Sequence, residues 1–378
     1  MKIAFICTEK LAFPPVNGGA VQVYLEGVLP ILSQHHEITV FSIQDPKLPD
    51  RAITSDIKYI RLPAGNAEEY VRGIKTYLSD DFDLIHVFNR PRWVPFLSKN
   101  LNCAFSLSLH NEMFLQNKIS YASATTCINR VSFITTVSKF IANGVSEIYP
   151  SATSKLHPTY SAVDCNIYKP IWDEDENSNR TILRAKYGLQ DHKTILYVGR
   201  LTPKKGTHIV LDAMKSVMNS HPNTALMIIG SKWYGATEST EYIQLLKKIS
   251  KDLKGPVIFT GFLSPTEIPK YYSIGDIFVN MSQWREPLAR VHYEAMAAGL
   301  PIITTNRGGN AEVMEEGING FVMNDYQNPR VLEKNIVNLL DNSNLALKIG
   351  KNGRQLAENK YSFERLANDL LKLFDNVK

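Results

Sequence analysis

Thr194-Ile195-Leu196-Tyr197-Val198-Gly199-Arg200-Leu201-Thr202-Pro203-Lys204-Lys205-Gly206 opens the second half of this 378-residue chain. The short apolar run Thr194 to Gly199 predicts a buried strand, and the glycine-bearing loop behind it leads into a helical pattern. The first half opens on the same plan, with the run Ile3 to Cys7, the loop Asn17-Gly18-Gly19-Ala20 and a helix over Val21 to Leu32. A plan that starts twice predicts two parallel α/β domains.

Working outward, strands are predicted at Ile38 to Ile43, Ile57 to Leu62, Leu84 to Phe88, Ala104 to Leu109, Phe133 to Thr136 and near Leu156. The second half continues with Ala225 to Gly230, Val257 to Thr260, Ile277 to Asn280, Ile302 to Thr305 and Phe321 to Met323. The chain is too long for one ordinary core and suits two domains of roughly 150 to 190 residues each. The expected division is a first domain over 1–170, a linker over 171–190, a second domain over 191–360 and a closing helix over 361–378. The linker is read from the acidic, anchor-poor stretch Pro170 to Asn179. The closing helix is read from Ser362 as a cap and from the apolar face Leu366, Leu370, Leu371, Leu373 and Phe374.

With 44% hydrophobic and 21% charged residues, the composition is that of a globular protein, and no apolar run approaches a membrane span. Lys2 with its short apolar stretch ending by Glu9 is too brief for a secretory leader, so a cytosolic location is expected. Cys7, Cys103, Cys127 and Cys165 are widely spaced, which predicts neither a disulfide framework nor a zinc site. Residues 1–180 hold 17 Lys/Arg against 18 Asp/Glu, whereas residues 181–378 hold 25 against 19. The positive excess favours an anionic ligand on the second half and is too scattered for nucleic acid.

The densest chemistry lies in Gln283-Trp284-Arg285-Glu286-Pro287-Leu288-Ala289-Arg290-Val291-His292-Tyr293-Glu294. Pro287 suits the first position of a helix that Gly299 would end, placing Glu286 at its mouth and Glu294 two turns inside. At about 1.5 Å of rise per residue the carboxylates would stand roughly 10 to 12 Å apart, with the N–H groups of Leu288 to Arg290 turned to an anion between them. Arg200 and Lys205 can converge on a phosphate, although two solvated cations account for either alone. Gly18-Gly19 can let backbone pass close to an anion or simply turn the chain. His110 ends a strand and can reach a sugar hydroxyl or bond only its own loop; Glu112 is a weaker candidate. Arg307-Gly308-Gly309-Asn310-Ala311-Glu312 can turn close to a ligand, with Asn310 as a helix cap. Trp233-Tyr234 can wall a base or sugar, or pack as an aromatic pair. No G-x-G-x-x-G follows either opening strand, and there is no P-loop.

Taken together, the Gly18-Gly19 loop, the His110 strand end, Gly199-Arg200, Lys205-Gly206, Glu286 and Glu294 with seven residues between, Ala297-Ala298-Gly299-Leu300-Pro301 and Gly308-Gly309 resemble a retaining glycosyltransferase of family 4. The resemblance covers nearly the whole chain and is strongest to a spore-coat-associated branch. It implies a GT-B fold, two Rossmann-like domains facing across a cleft with the last helix crossing back to the first. It implies Glu286 near the transferred sugar's hydroxyls, Glu294 on the ribose, Arg200 and Lys205 on the diphosphate, and His110 near the reacting carbon. Gly18, Gly19, Ala289, Arg290, Gly308 and Gly309 would line the donor. It further implies a nucleotide diphosphate sugar, a UDP-sugar foremost, as donor and neither metal nor cofactor. The acceptor (a glycan, a lipid-linked group or a protein) stays open, as does peripheral membrane contact. The chain departs from the family pattern at Ala289, where Gly is usual, at Arg290, where an aliphatic residue is usual, and at Ser161-Ala162 in place of Asn-Gly. A non-catalytic coat protein and a nucleotide-sugar epimerase are the alternative readings.

Overall fold

The computed structural model describes residues 1–232 and 240–377, so Trp233 and Tyr234 lie outside the described residues. Its strands are β1 (Lys2–Ile6), β2 (Glu37–Ile43), β3 (Arg51–Thr54), β4 (Ile57–Leu62), β5 (Leu84–Phe88), β6 (Ala104–Leu109), β7 (Val131–Thr136), β8 (Leu156–Pro158), β9 (Lys193–Val198), β10 (Thr224–Ile229), β11 (Val257–Gly261), β12 (Ile277–Asn280), β13 (Ile302–Thr305) and β14 (Gly320–Met323). They form two sheets, ordered β3-β4-β2-β1-β5-β6-β7-β8 and β11-β10-β9-β12-β13-β14. Every pairing is parallel except that of β3 with β4. Central strands such as β5 and β10 are buried along their whole length, as parallel strands covered on both faces must be. β3 was not expected: it is an edge strand with Ile53 75% exposed, and it carries no apolar run to betray it.

The chain divides into two compact units, Met1–Ala162 with Phe363–Lys378, and Val163–Ser362. As expected, the closing helix Phe363–Asp375 belongs to the first unit. It lays Leu366, Ala367, Leu370 and Phe374 into the core that holds Ile3, Phe5, Leu25 and Val28. Gly27 permits this, because a Cβ there would stand 2.1 Å from the Phe363 ring. Arg365 fastens the helix by donating to the carbonyls of Tyr160 and Ser161 at 2.9 and 2.8 Å.

The stretch read as a linker is structured. Glu174–Tyr187 is a 14-residue helix within the second unit, with three acidic residues in its first turn, where the helix dipole favours them. Asp173 caps it, and Gly188, at φ 66, ends it. Arg180 and Arg184, one turn apart, both reach the part-buried carboxylate of Asp276 just ahead of β12. An acidic, apolar-poor sequence is thus held by ion pairing to a distant element.

Candidate active site

The order of the second sheet reverses between β9 and β12, so the loops leaving these neighbours at their carboxyl ends diverge at a topological switch point, where open parallel sheets bind ligands. The β9 loop carries Arg200, Lys205 and Gly206; the β12 loop carries Ser282, Trp284 and Glu286. Gly206, at φ 70, brings the two together, since a Cβ there would lie 1.9 Å from the Met281 carbonyl oxygen. Lys205 Nζ then reaches Glu286 Oε2 at 2.5 Å. The same oxygen accepts from Ser282 Oγ at 2.8 Å and from Trp284 Nε1 at 2.7 Å. Burial pushes the Glu286 carboxyl up, but the Lys205 charge and the three donors outweigh it and hold the group below its ordinary range.

The helix behind Glu286 is shorter than the sequence suggests. It spans Val291–Ala297 with Arg290 as its cap, so Pro287 lies outside it and Glu294 sits in its first turn. The peptides ahead of it are engaged elsewhere. Gly309 N donates to the Glu286 carbonyl at 2.8 Å, and Ala289 N donates to Asn310 Oδ1 at 3.1 Å. The Ala289 N–H is therefore committed to a side chain, and no two-turn helix runs from one glutamate to the other. Gly308, at φ 64, is packed so that a Cβ would stand 2.0 Å from the Glu286 carbonyl oxygen. The Gly308-Gly309 turn thus grips the backbone of Glu286. Asn310, expected as a cap, is buried and spends its side chain on Ala289; Gly309 occupies the cap position.

His292, which the sequence reading did not single out, is fully buried in the same segment. Its Nδ1 lies 2.9 Å from the Ala289 carbonyl oxygen, which can only accept, so Nε2 accepts from the Thr304 hydroxyl at 2.8 Å. Burial pulls its pKa down to about 4, which keeps the ring neutral. Glu294 is also buried, and burial holds its carboxyl above the ordinary range against the opposing pull of Arg290 and Tyr272. Tyr272 donates to its Oε2 at 2.8 Å, while Arg290 Nε lies 3.8 Å from Oε1. The spacing in sequence marks both glutamates; it carries no sign of Tyr272 or His292.

The first sheet reverses between β1 and β5. Gly18 and Gly19, at φ 83 and 112, lead from the β1 loop into the helix Ala20–Leu32, whose start has no side-chain cap. His110, at the end of β6, is buried with its N–H on Asn89 Oδ1 at 2.7 Å, its Nε2 3.2 Å from Ser108 Oγ, and its ring against Tyr24. Also missed were Glu9 and Arg90, one from each diverging loop, joined by bonds of 2.6 and 2.8 Å. Glu112 is half-buried and accepts from Lys118 through its carbonyl.

A family model described as Glycosyl transferases group 1 matches residues 179–356. Spore coat protein SA of Bacillus subtilis is 46% identical over 376 residues, covering 99% of each chain. The chain belongs to the group 1 glycosyl transferases. YtcC of the same organism is 42% identical over 100% of this chain and 92% of its own. The fold of this glycosyltransferase is that of HepE from Anabaena, solved in complex with UDP-glucose, with a TM-score of 0.81 and 19% identity over 100% of both chains. That likeness establishes the GT-B architecture. Among the described residues, no three His, Cys, Asp or Glu side chains gather as a metal site requires, and no helix is long and apolar enough to cross a membrane. What the second unit of this glycosyltransferase offers is an oriented carboxylate beside a cation, with a second carboxylate further along the same segment.

Proposed function

We propose that this glycosyltransferase moves a hexose from a nucleotide diphosphate sugar, with a UDP-sugar as the donor, to an unidentified acceptor with retention at the anomeric carbon, as in family 4. The observation that carries this reading is the Lys205–Glu286 pair, built from the two loops that diverge at β9 and β12. Glu286 accepts from hydroxyls of the transferred sugar and Glu294 from those of the ribose. As the anomeric C–O bond breaks, its electron pair passes to the nucleoside diphosphate, and Lys205 and Arg200 stabilise the charge that collects there. The acceptor oxygen forms the new bond on the same face and gives up its proton to the departing phosphate.

The test is Glu286→Gln, which should abolish transfer while leaving the circular dichroism spectrum unchanged; full transfer by that variant rejects the assignment. A non-catalytic coat component is the second reading, favoured by the name of the 46% identical relative. Thermal shifts with a panel of nucleotide sugars separate the two, since a ligand that binds only the folded state raises its stability. Indifference to every donor supports the coat component.

A further inference from the structure

Three donors end on one oxygen of Glu286. Lys205 Nζ, Ser282 Oγ and Trp284 Nε1 all reach Oε2, at 2.5, 2.8 and 2.7 Å. A carboxylate oxygen offers about two lone pairs, so Oε2 is saturated by the protein and the next hydrogen bond must go to Oε1. The three donors differ in kind. Lys205 brings charge on a flexible stem, and Ser282 brings a hydroxyl that rotates. Trp284 brings a single N–H whose direction is fixed by a planar ring, adding aim without adding charge. That ring also lies under the ammonium groups of Lys204 and Lys205, at 5.7 and 5.9 Å from its centroid. Trp284 therefore touches both members of the ion pair.

We propose that Trp284 is a positioning residue for donor recognition. Its indole N–H pins Oε2 of Glu286 so that Oε1 alone meets a hydroxyl of the transferred sugar, while its ring face backs the Lys205 ammonium. The inference rests on the assignment of Glu286 to that sugar.

Trp284→Phe keeps the ring and removes the N–H. With UDP-glucose as the probe and UDP release as the readout, kcat should fall roughly 10- to 100-fold, with KM changing less than about three-fold. The acid limb of the kcat profile should move to higher pH, because the carboxylate has lost a donor to its charged form. A loss of packing alone would lower the melting temperature and leave that limb in place. Unchanged kcat and an unmoved limb overturn the proposal. Full turnover by Glu286→Gln defeats the assignment of Glu286 itself, whereas an inactive Glu286→Gln beside a wild-type-like Trp284→Phe defeats only the role of Trp284. A readout free of turnover is the indole N–H proton resonance of Trp284, identified by its loss in Trp284→Phe. It should move when Glu286 becomes Gln, and an identical shift in the two proteins sinks the pairing.

Discussion

Lys205 Nζ lies 2.5 Å from Glu286 Oε2, with only 14% and 9% of the two side chains exposed, and each residue belongs to a different loop of the diverging pair. Such a pair gains little over an apolar contact of the same shape, because both ions have been taken out of water, yet removing one partner strands the other. Lys205→Met should therefore destabilise the second unit by about 3 kcal/mol at neutral pH. Urea unfolding followed at pH 7 checks this, and a loss within error of zero would show that the carboxylate finds another partner. On the role proposed for Lys205 at the leaving group, transfer should fall about 10²- to 10³-fold in the same variant.

The two glutamates should leave opposite marks on the pH dependence of stability. Glu286 titrates below its ordinary range in the folded chain, so its contribution is complete above the unfolded-state value and is lost as pH falls through the native one. Glu294 titrates above its range, so the native state holds a proton that the unfolded state has released, and stability is lost as pH rises between the two values. In Glu294→Gln that component is absent. The variant should gain stability relative to wild type as pH rises from the ordinary carboxylate range upward. Unfolding free energies measured for both proteins across that interval would show a constant difference if the assignment is wrong.

Gly308→Ala tests the grip on the Glu286 backbone. The new Cβ meets a carbonyl oxygen at 2.0 Å and the residue is held at φ 64, so the turn must shift at a cost of about 1 to 3 kcal/mol. The disturbance falls on Glu286, and Glu294 lies eight residues on. With Glu286 on the sugar and Glu294 on the ribose, as proposed, binding of UDP should survive within a few-fold, while the extra affinity of UDP-glucose over UDP disappears. Calorimetric titration of both ligands decides it; equal losses would place the damage in the nucleotide half.

What was legible in the sequence follows from the range of the forces involved. β12 and β13 read directly from Ile277 to Asn280 and Ile302 to Thr305, since a strand buried on both faces must be an apolar run. The helix start at Pro287 misled because proline is favoured there, yet the peptides of Glu286 and Ala289 are taken by Gly309 and Asn310, some twenty residues on. The pattern within one segment cannot encode such a capture. Lys205 and Glu286 could be nominated by residue type and their mutual contact could not. Trp284 reads as a spare aromatic until the fold places its N–H on a carboxylate.

Asp276 shows the same principle away from the site and supplies the last prediction. Its Oδ1 accepts from Arg180 at 2.8 Å, and its Oδ2 accepts from Arg184 at 2.5 Å and from the Thr194 N–H at 2.7 Å. All three charged side chains are 12 to 13% exposed, so the carboxylate is the anchor that holds the acidic helix Glu174–Tyr187 to the sheet. Burial would raise the Asp276 carboxyl, but the two guanidinium groups hold it below its ordinary range, so the anchor is complete above the unfolded-state value and weakens as pH falls through the native one. Asp276→Ala leaves two guanidinium groups without their partner and should cost about 3 to 5 kcal/mol. The loss should surface first as amide exchange in residues 174–187, whose few buried side chains, Glu176 and Leu183, cannot hold the helix down. Protection there equal to wild type would mean that the backbone carbonyls of Ser273, Ile274 and Gly275, which also accept from these arginines, suffice to keep the helix in place.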